Sequence, residues 1–334
     1  MDDLSPAGPD VSVVIPGVGR SELTAACIDS LRPALAASSA QAEVVYVDDA
    51  SGDDTLSRLS SRYPSLRIEP IAERVGFAAA ANHGVRAARG RVVVLLNNDV
   101  EVSRDFLDPL VSRLDDAEIF AVTADSLVDG HHEGPSHGSF RGGLFYVEQP
   151  GLTGSAPPPS ETATNLHMSG GFSAFDRRLF LELGGFSPAY HPFYWEDVEL
   201  SWRAWRRGLK VLFEPRSRVH HRSHATVAAL HSRAQRRYVY ERNRLIFIWR
   251  NIRDPELFAE HLDYLLAGRT DEQGRGLQGG GMRFHFVPHG IRRALRELGK
   301  TEVRRLDRQI LEESRGLPYR LPAEPSRPER GDPC

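Results

Sequence analysis

The chain has 334 residues, 40% hydrophobic and 26% charged, with a formal net charge of -3. That is the balance of an ordinary soluble globular protein, and it excludes a globally basic nucleic-acid binder. The length suits one large domain with an extension, or two modest domains.

Two cysteines, Cys27 in a predicted helix and Cys334 at the last position, support neither a disulfide framework nor a cysteine-rich metal site. They suit a reducing compartment. No apolar run reaches the length of a membrane span. The opening MDDLSPAGPD lacks the basic and apolar regions of a signal peptide. The expectation is a cytoplasmic protein.

Val11 to Pro16 (VSVVIP) reads as a buried strand ended by Pro16-Gly17. Ser21 is a candidate N-cap for a helix over 22–37 that Pro33 should kink or end. A second strand is predicted at 43–47, running into the turn-rich Asp48-Asp49-Ala50-Ser51-Gly52-Asp53-Asp54. A helix over 55–63, a strand over 66–70 and an alanine-rich helix over 76–88 follow. Val92 to Leu96 is an unbroken, β-branched run expected to be buried on both faces, and it stops in Asn97-Asn98-Asp99. A helix over 103–114 and a strand over 119–124 complete a strand–helix alternation. That alternation predicts an α/β fold with a mostly parallel, doubly wound sheet and right-handed crossovers.

Between 125 and 163 glycine, proline and histidine cluster (DGHHEGPSHGSFRGG, SAPPPS). A hairpin near 144–147 and flexible loops over the carboxyl rim of the sheet are expected. His131, His132 and His137 lack regular ligand spacing and read as solvated loop residues. Residues 165–175 read as extended around Gly170-Gly171, 176–183 as a short helix, and 196–207 as an amphipathic helix. A strand over 210–213 leads to Val219-His220-His221. Helices are predicted over 225–253, 255–266 and, strongly basic, 291–315, with a glycine-rich loop at 274–281. The proline- and charge-rich tail 317–334 reads as disordered.

Asp48-Asp49, Asn97-x-Asp99 and Glu196-Asp197 each fall at a strand end or a helix start. In a parallel sheet the first two project from one rim, where open α/β sheets bind ligands. Separately they also read as a helix cap, a turn and a macrodipole-favoured first turn. Together they offer hard oxygen ligands suited to Mg2+ or Mn2+, ions often shared with substrate phosphates.

VSVVIP, VVYVDDASGDDT, RVGFAAAANHGVRAARG, VVVLLNNDVEV, MSGGFSAFDRRLFLELGGF, FYWEDVELSWRAWRRGLKV and VHH occur in this order over residues 10 to 250. The ordered set resembles glycosyltransferase family 2, most of all its rhamnosyltransferase and galactofuranosyltransferase-like branch. The resemblance implies the GT-A fold and inverting transfer from a UDP- or dTDP-sugar donor to a hydroxyl acceptor, assisted by a divalent cation (Mg2+ or Mn2+). The acceptor hydroxyl belongs to a glycan, a lipid-linked glycan or a metabolite.

The roles it implies are specific. Asp49 matches the residue that reads the base, with Asp48 beside it. Asn97-Asn98-Asp99 occupies the place of the metal motif, with Asp99 the main ligand. Asp197, next to Glu196, matches the general base. His221, or in second place His220, matches a histidine that helps hold the metal diphosphate. Gly170 and Gly171 fit a loop that lets backbone approach the donor sugar. Pro16, Gly76 and Asn82 are carried over as donor-binding positions. Arg74 stands where the family often has Asn, open to a phosphate contact or a structural ion pair. Two departures are plain: Pro16-Gly17-Val18-Gly19 lacks the usual aromatic ring, and Asn97 replaces an Asp.

The implied organisation is a flexible 1–9, a catalytic domain over 10–225 (nucleotide half 10–125, acceptor half 126–225), a helical extension over 226–316 and the tail. Within the extension, RRYVYERNRLIFIWRNIR admits two readings. One is peripheral contact with anionic lipid at the inner membrane face. The other is a helix that packs its aromatics on the catalytic domain and leaves its arginines in solvent. No nucleic-acid motif accompanies it. The rival functions are a sugar nucleotidyltransferase, for which Gly17-Val18-Gly19-Arg20 is too short a phosphate loop, and a non-catalytic nucleotide-sugar or glycan binder.

Overall fold

A computed structural model describes residues 8–128, 130–151, 159–221, 231–267 and 307–316. Strands β1 (Val11–Gly17), β2 (Ala42–Asp49), β3 (Arg67–Ile71) and β4 (Val92–Leu96) run parallel in the order β4-β1-β2-β3. Helices α1 (Ser21–Ala37), α2 (Thr55–Arg62) and α3 (Phe77–Ala87) make the crossovers. β4 is buried at every residue. Val93 and Leu95 face one core with α3, while Val92, Val94 and Leu96 face the other with α1. Its β-branched run therefore serves a sheet covered on both faces. α3 comes close because of Gly84, where a Cβ would lie 2.4 Å from Val14 Cγ1.

Beyond β4 the sheet continues through β11 (Phe172–Asp176), β6 (Ile119–Val128), β12 (Lys210–His221) and β10 (Ala163–Thr164). β12 is parallel to β6, whereas β11 is antiparallel to both β4 and β6. Because β11 runs backwards, its amino end, and so Gly170-Gly171, reaches the rim where β1, β2 and β4 end.

Several elements differ from expectation. α1 continues past Pro33 to Ala37; Pro33 lies on the exposed side, where water can satisfy the carbonyl it leaves unpaired. Arg20, in a left-handed conformation, caps α1, and Ser21 is its first residue. The helix predicted from 103 shrinks to α4 (Leu107–Val111) and a 3-10 turn at Ser112–Asp115. Before it lies an unexpected strand, β5 (Val100–Val102). β5 pairs antiparallel with the far end of β12, which is one long strand bulged between Glu214 and Arg218.

Segment 125–163 is more ordered than its composition suggests. β6 extends to Val128, β7 (His131–His132) folds back on it, and β8 (His137–Arg141) pairs with β9 (Leu144–Glu148). Phe145 is fully buried, with ring centroids 5.4 Å from Trp202 and 4.8 Å from Phe247. His131 is exposed, but His132 pairs with the buried Asp125. Burial lowers the pKa of His137. The solvated reading therefore holds for one histidine of the three.

α5 (Arg177–Glu182) and α6 (Glu196–Arg206) follow, then α7 (Arg233–Asn251), α8 (Pro255–Ala267) and α9 (Asp307–Glu313). α7 packs Phe247 against Trp195 and Trp202. Three of its arginines bond within the protein: Arg242 donates to the His191 carbonyl, Arg244 to Glu241, and Arg250 to Ser187, while Arg233 and Arg237 are exposed. Buried Asp307 accepts from Arg206 and from the Asp254 N–H, anchoring α9. The start of the 291–315 helix, the 274–281 loop, the 317–334 tail, residues 1–7 and the stretch 222–230 lie outside the described residues.

Candidate active site

A cavity of about 600 Å3 opens at the carboxyl rim, a size and position typical of ligand sites in such sheets. One wall is built from strand ends. Asp49, last residue of β2, accepts from the Val75 and Gly76 N–H groups at 2.7 and 2.9 Å. Each carboxylate oxygen keeps a further lone pair for a ligand. Pro16 and Gly17 end β1 at the same wall. Gly17 is required there, since a Cβ would lie 2.8 Å from the Tyr46 ring. Arg74, exposed, and Gly76 line the cavity as well.

Asn97, Asn98 and Asp99 follow β4 into the cavity floor. The Asn97 N–H donates to the Gly171 carbonyl at 2.8 Å, and Asn98 donates to Thr24 at 3.2 Å. Gly171 is also sterically obligatory: a Cβ would sit 2.5 Å from Asn97 Nδ2. The β5–β12 pairing sets His221 opposite Val100. That register brings His221 Nε2 to 3.5 Å from Asp99 Oδ1.

A divalent cation fits this pair. An imidazole nitrogen and a carboxylate oxygen at that spacing can both reach one ion with bonds of about 2.0–2.2 Å. Among the described residues no group of three or more His, Cys, Asp or Glu side chains is arranged to hold a metal.

The opposite wall comes from the start of α6. Glu196 and Asp197 both line the cavity. Asp197 accepts from the Gly170 N–H at 3.2 Å and the Val198 N–H at 2.8 Å. Gly170 and Gly171 therefore link the Asp197 side to the Asn97–Asp99 side directly. Glu196 is only 5% exposed, and its Oε2 has no hydrogen-bond partner among the described residues. Burial, reinforced by the adjacent Asp197 charge, raises its carboxyl pKa well above the ordinary value. Glu196 thus holds its proton to higher pH than a free glutamate, and the pair need not carry two charges.

A second cavity of about 280 Å3 lies behind this wall and shares Tyr194, Glu196, Asp197 and His221 with the first. Glu133, Gln149, Asn165 and His167 add polar groups, and no Lys or Arg is among its described lining residues. Burial raises the Glu133 carboxyl, opposed by the Ser126 hydroxyl and by His221 and His167.

Two predicted site residues stand elsewhere. Asp48 is buried beneath the rim, accepting from the Ser51 N–H at 3.0 Å and from the Ser51 and Tyr46 hydroxyls. It shapes the turn after β2 and does not line either cavity. Asn82 exchanges hydrogen bonds with the Phe186 backbone at 2.8 and 2.9 Å, tying α3 to the loop after α5. Conversely, His191, Pro192, Phe193, Tyr194 and His231 line the larger cavity without having been singled out. The aromatic run immediately before Glu196-Asp197 was the available signal.

Comparison with known proteins agrees with this architecture. The family model described as Glycosyl transferase family 2 matches residues 12–184. That is over half of the chain, and the chain belongs to this family. Polypeptide N-acetylgalactosaminyltransferase 3 of Drosophila melanogaster is 29% identical over 197 residues, covering 54% of this chain and 30% of that protein. Polypeptide N-acetylgalactosaminyltransferase 10 of Mus musculus is 31% identical over 198 residues, covering 54% and 32%. The chain spans about a third of the length of these curated relatives. Among solved structures, GalNAc-T7 with UDP, GalNAc and Mn2+ superposes with a TM-score of 0.53 at 20% identity, over 77% of this chain and 54% of that one. S. aureus TarS 1-349 gives 0.51 at 15% identity, over 86% and 79%. These share the fold. Among the described residues no helix is long and apolar enough to cross a membrane.

Proposed function

We propose that the chain is an inverting glycosyltransferase, moving a sugar from a UDP- or dTDP-sugar to a hydroxyl acceptor. The observation that carries this reading is one cavity with the Asp99–His221 pair on its floor and Asp197 on its wall, joined through Gly170-Gly171. A sugar hydroxyl is a poor nucleophile, so attack needs a base on one side and charge stabilisation on the other. Asp197 receives the acceptor proton as the acceptor oxygen bonds the anomeric carbon and the bond to the diphosphate breaks. The two N–H groups on its oxygens hold that carboxylate in place. Asp99 and His221 would hold a Mg2+ or Mn2+ ion, which when bound supplies charge neutralisation for the departing nucleoside diphosphate.

Asp49 is held by two main-chain N–H groups so that its free lone pairs face the nucleotide base, and Arg74 at the rim contacts the diphosphate. The smaller cavity behind Asp197 receives the acceptor, and its acidic lining disfavours an anionic one. The contacts of Arg242, Arg244 and Arg250, with Phe247 packed on Trp195 and Trp202, favour the packing role for that helix over lipid contact.

Two measurements test this. A thermal-shift screen of UDP-, dTDP- and GDP-sugars with Mn2+ should show stabilisation by UDP- or dTDP-sugars; stabilisation by GDP-sugars alone would overturn the donor assignment, and none by any would reject the reading. Asp197→Asn should lower transfer by roughly 100- to 10,000-fold while UDP binding, followed by calorimetry, survives. Equal turnover in mutant and wild type would remove Asp197 as the base.

A further inference from the structure

We propose that Asn243 on α7 is a positioning residue for the reaction: its side-chain amide holds residues 190–194 in the conformation that presents Glu196-Asp197 to the cavity. This rests on the glycosyltransferase reading above, and it places part of the machinery beyond the region matched by the family model.

Segment 190–194 forms a wall of the larger cavity and runs straight into α6. Its last residue and the next, Tyr194 and Trp195, have φ of 72° and 76°. Large L-residues adopt that left-handed conformation only when their surroundings over-determine it. α6 has no side-chain cap that could impose it; Trp195 itself occupies the cap position. The direction in which α6 starts, and with it the Asp197 carboxylate, therefore depends on what grips the segment from outside.

Asn243 supplies that grip. It is fully buried, and its Nδ2 lies 3.0, 2.9 and 2.8 Å from the Tyr190, Phe193 and Tyr194 carbonyls. Two amide hydrogens are thus shared among three converging carbonyls of one short turn. Arg242 Nε donates to Asn243 Oδ1 at 2.9 Å, which fixes the amide orientation with its nitrogen toward the segment. Arg242 also donates to the His191 carbonyl, so one pair of adjacent α7 residues binds four carbonyls between 190 and 194. Tyr240 and Phe247 of the same helix pack on Trp195 at 5.4 and 5.2 Å, covering the strained residue from the side. Only a side chain of this size with an N–H2 group meets the requirement. Aspartate has the shape but no donors when ionised, and alanine removes the donor from all three carbonyls.

Misplacing a base by an ångström costs turnover far more than it costs affinity for a ligand held elsewhere. The nucleotide side of the cavity is built on β1, β2 and β4, which Asn243 does not touch; the clamped segment approaches it at His191, whose Nδ1 lies 3.2 Å from the Val75 carbonyl. The test follows UDP release by wild type, Asn243→Ala, Asn243→Asp and Asn243→Ser, with Mn2+ and the nucleotide sugar that wild type turns over fastest. UDP affinity by calorimetry and the melting midpoint are measured beside it. Turnover should fall roughly 100-fold in Asn243→Ala and Asn243→Asp alike, with UDP affinity within about threefold of wild type. Asn243→Ser, which keeps one donor, should recover part of the turnover. Asn243→Asp at wild-type turnover would overturn the proposal, because volume alone would then suffice. A parallel loss of UDP affinity and turnover, or loss of a cooperative melting transition in all three variants, would also overturn it in favour of a purely structural role. A wild type that releases UDP from no nucleotide sugar overturns the glycosyltransferase reading itself, before any variant is compared.

Discussion

The two walls of the cavity are made in different ways. The wall bearing Asp49 and Asp99 grows from the ends of neighbouring parallel strands. Its groups are placed by the sheet ladder and by main-chain N–H groups a few residues away in space. The wall bearing Glu196 and Asp197 grows from a left-handed turn at the start of a helix, and is held by side chains from a helix some fifty residues further on. The strand-built wall is rigid because β2 and β4 are each paired on both sides up to their last residues. A strained turn is rigid only while its clamp persists. The two walls therefore keep their shape by different means, although Gly170-Gly171 joins them.

The largest break in that comparison comes from the strand-built wall. Asp99→Ala removes the carboxylate beside His221, and UDP binding should lose its dependence on Mn2+, a loss of several kcal/mol. Calorimetry with and without Mn2+ reads it directly; an unchanged Mn2+ dependence would move the cation elsewhere. Asp99→Ala should leave the α7 clamp, and so the melting profile without metal, near that of wild type.

Gly171→Ala acts at the seam between the walls. The added methyl meets Asn97 Nδ2 at 2.5 Å, and an overpacked site of this kind costs about 1–3 kcal/mol. A lower melting midpoint together with weaker UDP–Mn2+ binding is the expected pair of effects. A stable variant with intact binding would show that Asn97 yields without consequence.

The smallest effect is a pH dependence at the bulge of β12. Burial would raise the Glu214 carboxyl, but hydrogen bonds from Arg216, Thr162 and Arg113 outweigh it and lower the pKa from 4.5 to about 2. A pKa depressed by folding contributes stability above the unfolded value, and that contribution is lost as pH falls from about 4.5 toward 2. Glu214→Gln should flatten this part of the melting-midpoint profile while leaving transfer at neutral pH intact. An equally steep profile in the variant would place the acid sensitivity in other carboxyls.

The same contrast explains what could be read from the residues in order. The strand-built wall was legible because a β-branched run such as Val92–Leu96 announces both its burial and its end, and the end carries the chemistry. The rest depended on pairings that leave little local trace. β5 is three residues long, and β12 looked like two pieces because Pro215 and the bulge interrupt its pattern. Asp48 and Asp49 are indistinguishable in sequence. Strand alternation turns one to the Ser51 turn and the other to the cavity. Asn243 sat unnoticed among arginines, since nothing local tells a surface asparagine from one that collects three carbonyls. Arginines in a basic helix suggest a solvent or lipid face, yet Arg242, Arg244 and Arg250 are spent on the protein's own carbonyls, carboxylates and hydroxyls.

The long bulged strand has a consequence for how the protein reaches its working state. Asp99 leaves the first half of the sheet, while His221 arrives only when β12 has paired with β6 and then turned onto β5. Such distant pairings form late, after the local strand–helix units. A cation that needs both groups can then recognise only a chain whose sheet is complete, and its binding energy would draw the population toward that completed form. A cation bound between Asp99 and His221 would then report that the sheet is complete.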